Sequence, residues 1–65
     1  MADLSMIVRM VIYKCRELNN PVTETLAAYV AQTTMNQASG RFYLENQISE
    51  EEAKDLVDQT IMRLQ

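Results

Sequence analysis

The sequence predicts an all-α fold, a small three-helix module in the order helix, turn, helix, extended loop, helix. Apolar residues recur at helical spacing in three segments, each segment follows a residue suited to capping a helix, and the apolar side chains are mainly aliphatic, with no Trp. A chain of 65 residues is one domain at most and buries only roughly 60% of its unfolded surface. We therefore expect residues 1–65 to form a single module that needs a partner or further chain.

The first predicted helix covers residues 3–19. Asp3 is suited to be its N-cap, and Asn19 and Asn20 before Pro21 are suited to end it. One face of this helix is apolar and is formed by Leu4, Ile7, Val8, Val11, Cys15 and Leu18.

The second predicted helix covers residues 23–37, and the sequence allows two starts for it. In the first, Pro21 ends the preceding segment and Thr23 caps the helix. In the second, Asn20 is the cap and Pro21 takes the first helical position, which is also a favoured arrangement. At the other end, Gly40 is suited to close the helix in a left-handed conformation.

The third predicted helix covers residues 49–64 and has the clearest start. Ser49 and Glu52 form a capping-box pattern, and Ile48 in front of the cap is placed to pack on Ala53. The segment 41–44 before it is predicted to be extended and to lay Phe42 or Leu44 under the helices, since a lone strand of four residues has no partner elsewhere in the chain.

The three apolar faces together predict the core. Its expected members are Leu4, Val8, Val11, Leu18, Leu26, Val30, Leu56, Val57 and Ile61.

Charge and cysteine content limit the possible partners and compartment. The net charge of −3 argues against nucleic-acid and anionic-membrane binding, which need a basic surface. A single cysteine, Cys15, fits a reducing compartment, and no secretory signal or membrane span is recognisable. We expect a cytosolic protein with an authentic N-terminus. Because the last apolar period runs to the final residue, we expect an N-terminal fragment or a short relative of a longer protein.

The residues that usually carry enzyme chemistry are missing or isolated. The chain has no histidine, and Cys15 lies on an apolar face, where a buried thiol is expected rather than a nucleophile. Aligning Gly40 with the invariant glycine of a calcium loop places Met35 and Asn46 where Asp and Glu are required. The acidic run at 50–52 is typical of a solvated helix start. We expect no catalytic residue, metal, cofactor or small-molecule substrate.

A second apolar face on the first helix is the candidate interaction site. It consists of Met6, Met10 and Tyr13, and we call it the Met–Tyr face. Three interpretations are open: scattered surface side chains, a surface that packs on residues 41–44 of the same chain, and a surface that binds a partner.

Four segments of the chain resemble one known family. They are residues 7–12, 22–30, 40–43 and 57–64, which read IVRMVI, VTETLAAYV, GRFY and VDQTIMRL. In this order they resemble the start of the cilia- and flagella-associated protein 206 family. The resemblance implies an axonemal, non-enzymatic protein that helps to dock a radial spoke to the doublet microtubule, with other axonemal proteins, including radial-spoke base components, as partners.

Two classes of function are consistent with these features. The first is a scaffold or adaptor of the ciliary or flagellar axoneme, part of the cytoskeleton. The second is a helical interaction or dimerisation module outside cilia.

Overall fold

The computed structural model of the chain describes residues 2–38 and 48–65, and these residues form a three-helix module. Helix α1 is Leu4–Glu17, α2 is Glu24–Ala38 and α3 is Glu50–Leu64, and each helix packs against the other two. The predicted all-α fold is confirmed, with helix bounds within two residues of the predicted ones. Predictions for Gly40, for the segment 41–44 and for most of the tested calcium loop lie outside the described residues.

Hydrogen bonds at both ends of helix α1 satisfy backbone N–H and carbonyl groups that have no partner within the helix. The Asp3 carboxylate accepts a hydrogen bond from the Met6 N–H at 2.9 Å. At the other end, the Asn19 N–H donates to the Arg16 carbonyl and the Asn20 N–H to the Cys15 carbonyl, at 3.0 and 2.8 Å. This is the Schellman pattern, and Asn19 takes the left-handed conformation it requires, with φ of 57°. Both predicted ends of α1 are confirmed.

Helix α2 uses the first of its two possible starts. The Thr23 hydroxyl accepts a hydrogen bond from the Leu26 N–H at 3.2 Å, and the Thr23 carbonyl accepts one from the Ala27 N–H at 3.0 Å. Thr23 is therefore the N-cap, and the alternative start with Asn20 as cap is wrong.

The predicted N-cap of helix α3, Ser49, is confirmed. The Ser49 hydroxyl accepts a hydrogen bond from the Glu52 N–H at 3.3 Å, and Ile48 and Ala53 are both buried in the core. Ile48 also exchanges two backbone hydrogen bonds with Ala2, of 2.8 and 2.9 Å, in an isolated antiparallel bridge. This bridge joins the residue before the cap of α3 to the residue before the cap of α1.

The core confirms the predicted faces of α1 and α3 and corrects that of α2. Val8, Val11, Leu56, Val57 and Ile61 are buried as predicted, while Leu4 and Val30 are only partly buried. Two predicted core residues are exposed.

The first, Leu26, is 47% exposed because α2 turns a different face inward. The second, Leu18, is exposed because it is the C-cap residue of α1, where the chain turns away from the helix.

The buried face of α2 is built from small and flexible side chains. It consists of Ala27, Ala31, Thr34 and Met35. The Thr34 hydroxyl donates to the Val30 carbonyl at 2.8 Å, so its burial leaves no unsatisfied polar atom. The alanines let the neighbouring helices approach closely, and the larger Leu26 is displaced to the surface.

Candidate interaction surface

The three residues of the Met–Tyr face occupy different positions in the structure. Met6 is 46% exposed and Tyr13 is 64% exposed, whereas Met10 is partly buried and packs against the core. The α1 N-cap positions Met6, whose N–H binds Asp3. The structure thus provides an exposed Met and Tyr two turns apart on α1, with Met10 between them at the edge of the core. Their role as a partner surface stays a prediction.

Met10 and Tyr13 also line a groove between α1 and α3, which we call the α1/α3 groove. It has a volume of about 450 Å³ and its other lining residues are Lys14, Glu17, Lys54, Val57 and Asp58. Met10 and Val57 give it an apolar floor, and charges of both signs surround it. Lys14 and Glu17 form an exposed ion pair at 3.7 Å, one helical turn apart. This arrangement suits an amphipathic partner better than a small charged ligand.

A second groove, between α1 and α2, was not predicted from the sequence. It has a volume of about 800 Å³; Leu4, Val8, Ile12 and Ala28 form its apolar part, and Asp3, Ser5, Arg9, Glu24 and Gln32 its polar part. The signal in the sequence was the spacing of four residues between Leu4, Val8 and Ile12. The opposing α2 residues repeat at the same spacing, but only the structure shows that the two helices leave a gap there.

Helix α2 presents a third apolar surface to solvent. Leu26 and Tyr29 are exposed on it, and the Thr33 hydroxyl donates to the Tyr29 carbonyl at 2.9 Å. Sequence reasoning assigned Leu26 to the core and so did not identify this surface. The alanines at 27 and 31 are the signal that could have found it, since small residues mark the side of a helix on which close packing occurs.

The side chains considered as candidates for chemistry are Cys15 and the acidic residues at the start of α3. Cys15 is buried, and its burial raises the pKa of the thiol above the ordinary value of 9.0, which keeps it protonated at neutral pH. No cluster of three His, Cys, Asp or Glu side chains that could hold a metal ion occurs within residues 2–38 and 48–65. In the same ranges, no helix has both the length and the apolar character needed to cross a bilayer.

Comparison with known proteins gives one informative match. The chain is 48% identical over 64 residues to Cilia- and flagella-associated protein 206 of Tetrahymena thermophila, and the alignment covers 98% of this chain and 10% of that protein. The chain thus spans about a tenth of the length of the curated relative it matches. No family model and no solved structure matches the chain. The resemblance identified in the sequence is confirmed.

Proposed function

We propose that the chain is a structural adaptor of the cilium or flagellum, held in the axoneme through the Met–Tyr face of α1. The observation that carries this proposal is the 48% identity over almost the whole chain to a protein named for its association with cilia and flagella. Because the match covers a tenth of that protein, the role proposed is that of one interaction module. Within the axoneme, the proposed role of this module is to help dock a radial spoke to the doublet microtubule, with radial-spoke base components among its partners.

The surface of α1 supports an adaptor role. A core of three short helices uses one face of α1, and Met6 and Tyr13 remain exposed on another. Methionine adapts its shape to a partner, and tyrosine combines an apolar ring with a hydroxyl that can form a hydrogen bond. These properties suit binding to another protein in an assembly.

The same features support a role without catalysis. The chain has no histidine, and its cysteine is buried with a raised thiol pKa. In the proposed role the protein is a component of the axonemal cytoskeleton in the cytoplasm, without enzyme activity and without need of a cofactor, metal, nucleic acid, membrane or small-molecule substrate.

The test is retention of the tagged full chain in axonemes after the ciliary membrane is removed with detergent. We expect the wild-type chain to stay with the axoneme and the variant Met6→Gln with Tyr13→Gln to be released. Both substitutions are at exposed positions, so the helix content and melting temperature of the purified variant should stay close to wild type.

A matched control is Leu26→Gln with Tyr29→Gln, which removes an aliphatic and an aromatic side chain from the exposed surface of α2. We expect this control to be retained. A wild-type chain found entirely in the detergent-soluble fraction would contradict the axonemal role and favour a helical module outside cilia. Equal release of both variants would contradict the assignment of the contact to α1.

A further inference from the structure

Two helices of the chain carry charge of opposite sign, although the net charge of the whole chain is only −3. Helix α1 carries three basic residues and one acidic residue, whereas α3 carries five acidic residues and two basic ones. The charged side chains of α1 therefore sum to +2 and those of α3 to −3. Such a separation favours contact between the positive surface of one molecule and the negative surface of another.

The exposed face of α1 is a stripe of apolar and basic side chains. Met6, Arg9, Tyr13 and Arg16 follow one another at spacings of three, four and three residues, and all four are exposed. These spacings place them on one side of an α-helix. We call this set the basic stripe.

Helix α3 carries a stripe of the same length and opposite charge. It consists of Glu51, Asp55, Asp58 and Met62, at spacings of four, three and four residues, and all four are exposed. Met62, at 73% exposure, is an apolar side chain at the end of an otherwise acidic stripe. We call this set the acidic stripe.

The two stripes match when the helices that carry them run antiparallel. Counted from Met6, the other positions of the basic stripe lie three, seven and ten residues along α1. Counted back from Met62, those of the acidic stripe lie four, seven and eleven residues along α3. Paired positions differ by at most one residue, or about 1.5 Å of helix rise. Met6 then meets Met62, Arg9 meets Asp58, Tyr13 meets Asp55, and Arg16 meets Glu51.

The positions of the stripes on one molecule allow this contact to occur twice. Tyr13 of the basic stripe and Asp58 of the acidic stripe line the same α1/α3 groove, so the two stripes are neighbours. A two-fold axis can therefore place α1 of each copy on α3 of the other, which gives a closed dimer with one self-complementary interface.

Within residues 2–38 and 48–65, no charged side chain of either stripe takes part in an ion pair. In the part of the chain that the structure describes, the ion pair within 4.0 Å joins Lys14 and Glu17, neither of which belongs to a stripe. Arg9 donates a hydrogen bond of 3.3 Å to the neutral Ser5 hydroxyl and, within the described residues, forms no ion pair.

We propose that the partner of the basic stripe is a second copy of this chain, and that the module forms a two-fold dimer in which the basic stripe of each copy packs on the acidic stripe of the other. This inference rests on the proposed function in that it names what the exposed α1 surface contacts. The dimer, rather than the single chain, is then the unit held in the axoneme, and the Met–Tyr face contributes to that retention by holding the two copies together.

The experiment measures the mass of the purified full chain by sedimentation equilibrium from about 10 µM to about 1 mM. We expect the mass to rise from the 7.5 kDa of one chain toward twice that value. Raising the salt from about 0.1 M to about 1 M shortens the Debye length from roughly 10 Å to 3 Å and should weaken association.

Charge-reversal variants test the pairing itself. Arg9→Glu with Arg16→Glu makes both stripes acidic, and Glu51→Lys with Asp58→Lys makes both basic. Because an exposed ion pair changes a binding constant by roughly 1.5- to 5-fold and each variant reverses four pairs in the dimer, we expect each variant alone to associate at least about tenfold more weakly than wild type. An equimolar mixture of the two variants should associate about as tightly as wild type.

The control Thr25→Glu with Asn36→Glu adds negative charge at exposed positions of α2, outside both stripes and both grooves, and should associate like wild type. Helix content measured by circular dichroism verifies folding. If Glu51→Lys weakens the start of α3, the single variants Arg9→Glu and Asp58→Lys give the same test at positions inside the helices.

A wild-type chain that stays monomeric at about 1 mM, or a mixture that fails to associate, would overturn the dimer. If that chain is nevertheless retained in axonemes and its Met6→Gln, Tyr13→Gln variant is not, the adaptor proposal stands and another axonemal protein covers the basic stripe. A chain that dimerises as described but is absent from axonemes supports the dimer and contradicts the adaptor role.

Discussion

Two leucines that the sequence treats as equivalent core residues should respond very differently to truncation. Leu56 is 3% exposed, and Leu56→Ala should lower the free energy of unfolding by about 2–5 kcal/mol, because it removes a buried side chain and leaves a cavity. Leu26 is 47% exposed, so Leu26→Ala removes only part of the apolar burial of the side chain, leaves no closed cavity and gains the higher helix propensity of alanine. We expect its loss to be about 1 kcal/mol or less.

These losses should be compared with the total stability of so small a domain. At about 0.05–0.15 kcal/mol per residue, 65 residues give roughly 3–10 kcal/mol. Leu56→Ala therefore removes a large fraction of the stability and should lower the melting temperature by at least about 8 °C, at roughly 4–8 °C for each kcal/mol. Urea denaturation followed by circular dichroism, at one protein concentration for all variants, measures the loss of unfolding free energy, and thermal denaturation measures the fall in melting temperature. Equal losses at the two positions would refute the assignment of the buried face of α2.

Three further predictions follow from single sites. Ser49→Ala should lower the unfolding free energy by about 0.5–2 kcal/mol, since it removes the acceptor of the Glu52 N–H; an unchanged urea midpoint would contradict this cap. Asn19→Gly should leave stability unchanged or raise it, whereas Asn19→Val should lower it by about 1–2 kcal/mol, because the backbone there is left-handed; equal midpoints for the two variants would contradict that conformation. Cys15 of the native chain should react with a thiol reagent only slowly at pH 8 and faster as the pH rises above 9.0, since burial raises the thiol pKa and the thiolate is the reactive form. Equal rates for native and urea-unfolded chain would show that the thiol is accessible.

The sequence predicted most of the fold because its strongest signals are local. The caps at Asp3, Thr23 and Ser49 depend on hydrogen bonds between residues three apart, and all three form in the structure. The buried faces of α1 and α3 were also predicted, since in each helix the large aliphatic residues of the core lie on one side.

Helix α2 could not be oriented from periodicity because it has two competing faces. The face with Leu26 has the larger apolar side chains, and the face with Ala27 and Ala31 has the smaller ones. Burial of apolar area favours turning the Leu26 face inward. Close approach of α1 and α3 to α2 favours the alanine face instead, and how closely they approach depends on all three helices. The buried hydroxyl of Thr34 is tolerated because the preceding turn supplies an acceptor.

The candidate site shows the same limit. Exposure of Met6 and Tyr13 could be predicted, because both lie opposite the apolar face of α1. The partial burial of Met10 could not, because it lies at the edge of that face, where the position of α3 decides whether it is covered. The two grooves likewise depend on where one helix lies relative to another, which the sequence of neither helix specifies.

Association and stability are linked in a chain of this size. A single copy leaves Met6, Tyr13 and Met62 in contact with water, and the proposed dimer covers them. Because a partner that binds only the folded chain adds stability by mass action, a concentration of free chain about 100-fold above the dissociation constant would contribute about 2.7 kcal/mol. That contribution of about 2.7 kcal/mol lies in the lower half of the loss of about 2–5 kcal/mol expected from Leu56→Ala. The dimer therefore predicts that raising the protein concentration restores stability to a variant with a truncated core. The stability of the charge-reversal variants should not depend on protein concentration in this way, although the core of each single chain stays intact.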